Sequence, residues 1–396
     1  MDIRALEAKY ENLYAPVFQI LVNHSDIMTR GEDKTKESIE ISSVTIDNTL
    51  DGADTFSFIV NNAFDIEKGE LRSFINQVLV FDAEVEIRLG YGSQLKTLMF
   101  GILTSVKVSF PSGGTPQVEV GGFDISYRMM KEKKPRSWND KKDSEVVNLI
   151  AKEYKLETLP NDDDPFLNKK SIEETEQIYP QIVKQEKESD FEFLKRLAER
   201  NYYELFVFRN TLYFRKPARE SSSIVTLEWN KSLVSFSPEF DIAERVYKVD
   251  VLGQDTTQQK VNIVATATIE NDEISRILVK ELLARILGVN VTKQLISEQV
   301  KQPVISEEHA KNMAKAILLK KHEDVFKGSG ESIGIPDVLA GTNIELKGLG
   351  SKFSQKYYLK KTNHSISNSG YKTTFDVNRV PDEKEIELKS ETTNLS

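Results

Sequence analysis

The sequence predicts an α+β protein that is mainly β: two antiparallel β modules, an α+β insert between them and a helical insertion in the second module. Three observations lead there. Short segments near both ends of the chain alternate apolar and polar residues. Glycine and proline turns separate those segments. Between them sits one compact helix-plus-hairpin signal. At 396 residues the chain has room for roughly two to four domains. Its 39% hydrophobic and 29% charged residues suit a globular protein that builds its core without staples. There is no cysteine, so disulfides and thiolate metal sites are excluded. A net charge of −9 argues against nucleic-acid binding by the chain as a whole.

Residues 1–13 read as a short polar helix or arm. Asp2, Arg4, Glu7 and Lys9 interrupt its apolar residues, so it is not a signal peptide, and synthesis in the cytoplasm is expected. Residues 14–130 form the first module. Val44 and Ile46 alternate with polar residues, Asp51-Gly52 turns the chain, and Phe56, Phe58 and Val60 continue beyond it as a hairpin. Val85, Ile87 and Leu89 form another alternating run, as do Val106, Val108 and Phe110, which a Pro111–Pro116 turn joins to Val118 and Val120. One apolar and one wet face per strand fits a small antiparallel barrel or sandwich.

Residues 131–220 are the α+β insert. It begins with a basic stretch, 131–142, read as an exposed linker. A helix follows near 144–155, and then Asn161 to Pro165 breaks the chain. Ser189-Asp-Phe-Glu192 is a capping box, in which the serine accepts from the N3 amide and Glu192 reaches back. Phe191, Leu194, Leu197 and Ala198 give that helix one buried face, and a hairpin turns around Arg209-Asn210. Residues 221–380 form the second module. Its strands lie near 225–229, 233–237, 245–252 and 260–268. Its helical insertion, about 270–325, holds one apolar pattern at Ile274, Ile277 and Leu278 and a second helix capped by Ser306. Ile344, Leu346, Phe375 and Val377 are the buried positions of its closing strands, and 381–396 is a flexible tail. No repeat exists by sequence identity, only a repetition of kind.

The chemistry-bearing patterns are weak. Gly330-Glu-Ser-Ile-Gly334 fits the nucleophile-elbow motif, and Asp337 and His364 follow in hydrolase order. Pro336 and Gly341 oppose the helix that such an elbow needs after Ser332. The histidines, His24, His309, His322 and His364, lack zinc-site spacing. Asn161 to Asp164 lacks the glycine and later ligands of a calcium loop. No phosphate-cradling glycine motif occurs. The expected catalytic, cofactor-binding and metal-binding residues are therefore none. A tail-tip cell-wall hydrolase and a glycan-binding tail module stand as alternatives; the second is weakened because Trp138 and Trp229, the only tryptophans, lie far apart.

Two blocks carry a family resemblance. One runs from Ser189 to Tyr203 and on through Leu212-Tyr-Phe-Arg215. The other has the order Gly334-Ile-Pro, Ala340-Gly341, Leu346-Lys-Gly-Leu-Gly350, Tyr357-Tyr358, His364, then Gly370-Tyr371 to Arg379. Together they resemble the phage late control gene D family, the baseplate central hub proteins of contractile tails. The first block departs from it mildly, with Asn201-Tyr202 where a glycine is usual. The resemblance implies a ring-forming homotrimer in which each chain gives two barrel-like tube modules. Such a hub would adapt a hexameric tail tube to a trimeric spike protein around a central channel, with baseplate wedge and tape-measure proteins as further partners. It implies assembly in the bacterial cytoplasm, residence in a virion tail, tailocin or released injection particle, and no catalysis.

Overall fold

A computed structural model describes residues 1–28, 39–61, 63–72, 75, 78–112, 114, 116–160, 164–166, 170–175, 183–241, 246–254, 261–269, 297–301, 304, 306–323, 325–379 and 386–394. Helix α1 (Ile3–Lys9) opens the chain, with the Asp2 carboxylate accepting from the Ala5 amide at 2.9 Å. Strands β1 (Pro16–Val22), β2 (Ser25–Asp26), β3 (Glu40–Thr49), β4 (Thr55–Asn61), β5 (Phe64–Asp65), β6 (Glu70–Leu71), β7 (Glu84–Tyr91), β8 (Gln94–Ser109) and β9 (Gln117–Asp124) follow. The middle of the chain holds β10 (Arg136–Trp138), α2 (Asp143–Glu153), β11 (Val183–Gln185), α3 (Asp190–Asn201), β12 (Glu204–Phe208) and β13 (Thr211–Arg215). Then come β14 (Val225–Glu228), β15 (Leu233–Phe240), β16 (Lys248–Gln254), β17 (Val261–Ile269), β18 (Ser297–Lys301), α4 (Glu307–Glu323), β19 (Phe326–Ile333), β20 (Asn343–Lys347), α5 (Gly350–Phe353), β21 (Lys356–Ser367), β22 (Gly370–Asn378) and β23 (Ile386–Asn394).

Thirteen of the described strands share one sheet, and its order shows a repeat that residue identity hides. The first half reads β3-β4-β9-β8-β7-β1 and the second β15-β19-β22-β21-β20-β14. These are the same six positions filled in the same chain order. The irregularities coincide as well. The β3–β4 ladder is bulged between Ile41 and Ser43, and β15–β19 between Leu233 and Ser235. The β8–β9 ladder is bulged between Leu103 and Ser105, and β21–β22 between Leu359 and Lys361. Ahead of β8's bulge, Leu103 exchanges backbone bonds with Asp82 and Ala83; ahead of β21's, Leu359 does so with Gly341 and Thr342. Asp82 and Gly341 both have positive φ, 64° and 86°. Coincident bulges and turns fix the register of the two halves against each other. One pairing differs: β1–β7 is antiparallel, whereas β14–β20 is parallel.

The apolar residues of both half-sheets form one buried cluster, which includes Val44, Ile46, Phe58, Val120, Ile344, Leu346, Tyr357, Phe375 and Val377. The four closing-strand residues expected inside are at most 2% exposed. A second cluster lies under α2, α3, β12 and β13, with Val146, Ile150, Leu194, Leu197 and Phe214 at its centre. The capping box forms as expected: the Glu192 amide donates to Ser189 Oγ at 3.2 Å, and the Ser189 amide to the Glu192 carboxylate at 2.7 Å. The helix then ends with Tyr202 in the left-handed region.

A third cluster departs from expectation. Strands β16 and β17, expected in the second module, pair with β18 and β23 in a separate sheet ordered β18-β16-β17-β23. Helix α4 packs on that sheet through Ala310, Met313, Ala314 and Leu318. Its Ser306 cap accepts from the His309 amide at 3.0 Å. The stretch 381–396, expected as a tail, contains β23, which lies antiparallel to β17 from Ile386 to Asn394. Its polar residues mislead because an edge strand can be polar and still be held by backbone bonds. The helix expected at Ile274 to Ile286 lies outside the described residues.

Candidate functional site

The two half-sheets meet at a strand joint. Residues Lys361–Ser367 of β21 pair antiparallel with Ser43–Thr49 of β3, with His364 opposite Ile46. Asn363 Nδ2 donates to Asp47 Oδ1 across the joint at 2.9 Å, and Thr362 Oγ1 donates to Asn48 at 3.3 Å. Asn48 in turn donates to Asp54 at 2.7 Å. Burial and the neighbouring Asp124 carboxylate raise the Asp54 pKa well above its usual range, and burial raises that of Asp124 to about 6. The joint therefore has an apolar face and a satisfied polar face, as a permanent internal contact requires.

The two sequence blocks of the resemblance touch each other beside this joint. Arg215, at the end of β13, is fully buried and donates to the Gly341 carbonyl at 2.7 Å. The rings of Phe166, Phe206 and Tyr213 surround its guanidinium at 5.0, 5.3 and 5.7 Å from their centroids. Glu204 lies 3.9 Å away and accepts from Tyr358 at 2.5 Å. Gly341 holds a positive φ, and a Cβ there would come within 3.1 Å of Arg215. The glycine thus serves both a left-handed turn and a close approach, and the pairing docks the helix-and-hairpin unit onto the second half-sheet.

The hydrolase constellation does not assemble. Ser332 lies inside the continuous strand β19, 0% exposed, and donates to the Ile333 carbonyl at 2.9 Å. No helix follows it, so it is not thrust out on a turn. Its flanking glycines have packing reasons: a Cβ at Gly330 would strike the Phe375 ring at 2.5 Å, and one at Gly334 the Tyr371 ring at 2.0 Å. His364 is fully buried, with Nδ1 2.8 Å from Tyr371 Oη and Nε2 2.8 Å from the Val338 carbonyl oxygen. Burial lowers its pKa to about 4, so it is neutral. Asp337 is committed elsewhere. It accepts from Lys9 at 2.8 Å, from Tyr10 at 2.7 Å and from Lys96. Burial alone would raise its pKa, but the two lysines and the tyrosine hold it below the usual carboxylate range. Asp337 thereby ties α1 and β8 to the second half-sheet.

The basic stretch 131–142 is not simply a linker. Within it β10 pairs with β11, and Lys134 and Arg136 reach the buried Asp190 at 3.3 and 3.5 Å. Arg136 also holds Glu153 at 2.8 Å. Two positive charges near one acid read in sequence as part of a solvated run, because the acid lies far along the chain. Of the acidic turn, residues 161–163 lie outside the described residues, and Asp164 accepts from Tyr213 at 2.6 Å. Among the described residues no group of three His, Asp or Glu is placed to hold a metal, and no helix is long and apolar enough to cross a membrane.

Among the open sheet edges of the described residues, two are the counterparts of the strands that meet at the joint. Beyond Leu103, β8 has β9 on one side and no strand on the other. Strand β15 pairs with β19 alone. Exposed apolar side chains gather there: Val80, Phe81 and Phe110 near β8, and Trp229 and Val234 near β15, at 50%, 63%, 65%, 49% and 53% exposure. Sequence periodicity showed these strands but not their edges, because alternation reports faces and is silent about neighbours.

Comparisons with known proteins give the fold a context. The family model described as the Alg8 N-terminal domain matches residues 19–368. The 43 kDa tail protein of prophage MuSo2 from Shewanella oneidensis is 12% identical with a TM-score of 0.64, over 94% of this chain and all of that one. A tail protein from Neisseria meningitidis is 14% identical with a TM-score of 0.63, over 92% of this chain and 97% of that one. An E. coli component of the type VI secretion system, described as structurally similar to T4 bacteriophage tail proteins, is 10% identical with a TM-score of 0.53, over 92% and 78%. At such identities the likeness is one of fold. No curated protein matches the sequence.

Proposed function

The chain belongs to the Alg8 N-terminal domain family, and for a member with this fold we propose a structural role as a baseplate hub of a contractile tail or injection particle. The observation that carries the reading is the internal repeat. Two half-sheets of the same strand order, joined edge to edge, leave one copy of the joining edge open at each end. Such a unit is made for head-to-tail closure into a ring. Three chains would supply six half-sheets, which matches the hexameric tube and trimeric spike that the late control gene D resemblance implies. The tail-protein folds of its structural neighbours support the same reading. The work is assembly and symmetry adaptation around a channel, without catalysis; a soluble place in a virion tail or released particle follows from it. The domain division follows too: two half-sheets as tube modules, residues 131–220 as an insert, and the β16–β18, α4 and β23 unit as a decoration of the second. Light scattering of the purified chain, alone and with a trimeric spike, tests it. The mass of three chains is expected; one chain under both conditions contradicts the role.

A further inference from the structure

We propose that β8 of one copy pairs antiparallel with β15 of the next, in the register that β21 and β3 already show inside the chain. This rests on the ring reading above and adds which edges meet and how they align. The coincident bulges map residues one to one. Leu359 corresponds to Leu103, so Asn363 corresponds to Lys107 and Ile366 to Phe110. Ser43 corresponds to Ser235, so Asp47 corresponds to Glu239 and Val44 to Phe236.

Transferring the joint's register puts Lys107 opposite Glu239, where the internal joint has Asn363 on Asp47. A polar hydrogen bond becomes a pair of opposite charges. Transferred likewise, Phe110, 65% exposed, faces the half-buried Phe236, where the internal joint has Ile366 on Val44. An apolar pair thus replaces an apolar pair. Both matches are independent of the bulges that set the register.

Backbone parity agrees. The Leu50 amide donates to Lys360, which turns the even-numbered residues of β3 toward β21. The Asp241 amide donates to Val325, which turns the odd-numbered residues of β15 toward β19 and leaves Phe236 and Pro238 facing the open edge. Proline, lacking an N–H, belongs at such an edge and discourages indiscriminate strand addition. The ladder between copies then lacks one bond, at Pro238. Lys107 and Glu239 fall at a non-hydrogen-bonded pair, where Cα atoms approach to about 4.5 Å, within reach of a disulfide.

The chain has no cysteine, so the double variant Lys107→Cys/Glu239→Cys gives an unambiguous readout. Both sites are exposed, and an unchanged melting curve under reducing conditions verifies folding. Mild oxidation should carry most chains into covalent two-chain and three-chain species. The pair Lys107→Cys/Ser235→Cys, on the same face but four residues out of register, should remain largely single. Three-chain mass by light scattering without cross-linking at 107 and 239, or with equal cross-linking in the slipped pair, overturns the register and leaves the ring reading standing. Single-chain mass at high concentration, with and without spike, and no cross-link overturns both.

Discussion

The same strand has opposite surroundings in the two half-sheets. In β21, Thr362 and His364 are fully buried between β22 and β3. Their counterparts in β8, Val106 and Val108, are only half-buried, although they are the more apolar pair. Leu339 and Ala340, which precede Gly341, are 3% and 5% exposed; Val80 and Phe81, which precede Asp82, are 50% and 63% exposed. Hydrophobicity therefore does not decide which copy is buried; the presence of a neighbouring strand does. The half-sheet with a partner tolerates polar residues at its joint because each finds a hydrogen bond. The half-sheet without one keeps apolar residues in water, which is the usual mark of an interaction surface.

Substitutions at equivalent positions test this contrast. Ile46→Asp places an unpaired charge at the centre of the joint and should cost about 4 kcal/mol or more. The equivalent Pro238→Asp, on the open edge, should cost the isolated chain about 1 kcal/mol or less; urea unfolding of both variants compares them. Arg215→Met leaves Glu204 buried without its cation and should cost about 3 kcal/mol, with loosening of the helix-and-hairpin unit visible by hydrogen exchange. Asp337→Asn removes the negative charge that Lys9 and Lys96 share and turns one of the two accepting oxygens into a donor; it should cost about 2 kcal/mol, with faster exchange in α1.

His364 gives the contrast a pH dependence. Its pKa falls from 6.5 to about 4 on folding. The stability it contributes is full above pH 6.5 and is lost as pH falls through about 4. His364→Asn should make that acid loss shallower by up to about 1.4 kcal/mol per pH unit. Asp124, whose pKa rises from 3.8 to about 6, acts oppositely: its contribution is full below pH 3.8 and lost as pH rises through about 6. Asp124→Asn should therefore steepen the same acid loss. The smallest effect belongs to Ser332→Ala, expected below about 1 kcal/mol. A fluorophosphonate probe should leave Ser332 unlabelled; labelling there would revive the hydrolase alternative.

Local signals were legible in the sequence and long-range ones were not. The capping box at Ser189, the hairpin turning at Arg209 and the alternating faces of β21 and β22 were readable because partners lie within a few residues. The repeat was hidden because paired strands trade large and small residues between halves. Phe56 of β4 sits over Gly122 of β9, whereas at the equivalent pair Gly328 of β19 faces Val377 of β22. Phe58 with Val120 likewise becomes Gly330 with Phe375. In both pairs the bulky residue passes from one strand to the other, so the pairing is kept and identity is lost. The placement of β16 and β17, the strand within the expected tail and the Asp190 partners of the basic stretch share one cause: each depends on a residue far away in sequence.

The central claim is that the internal joint is one instance of a contact repeated between copies. Electron-microscope class averages of the purified chain with a trimeric spike test it most directly. A ring of three chains with six alike lobes around an open centre is the predicted result. A single-chain particle, or a two-fold dimer that leaves the β8 and β15 edges free, would contradict it.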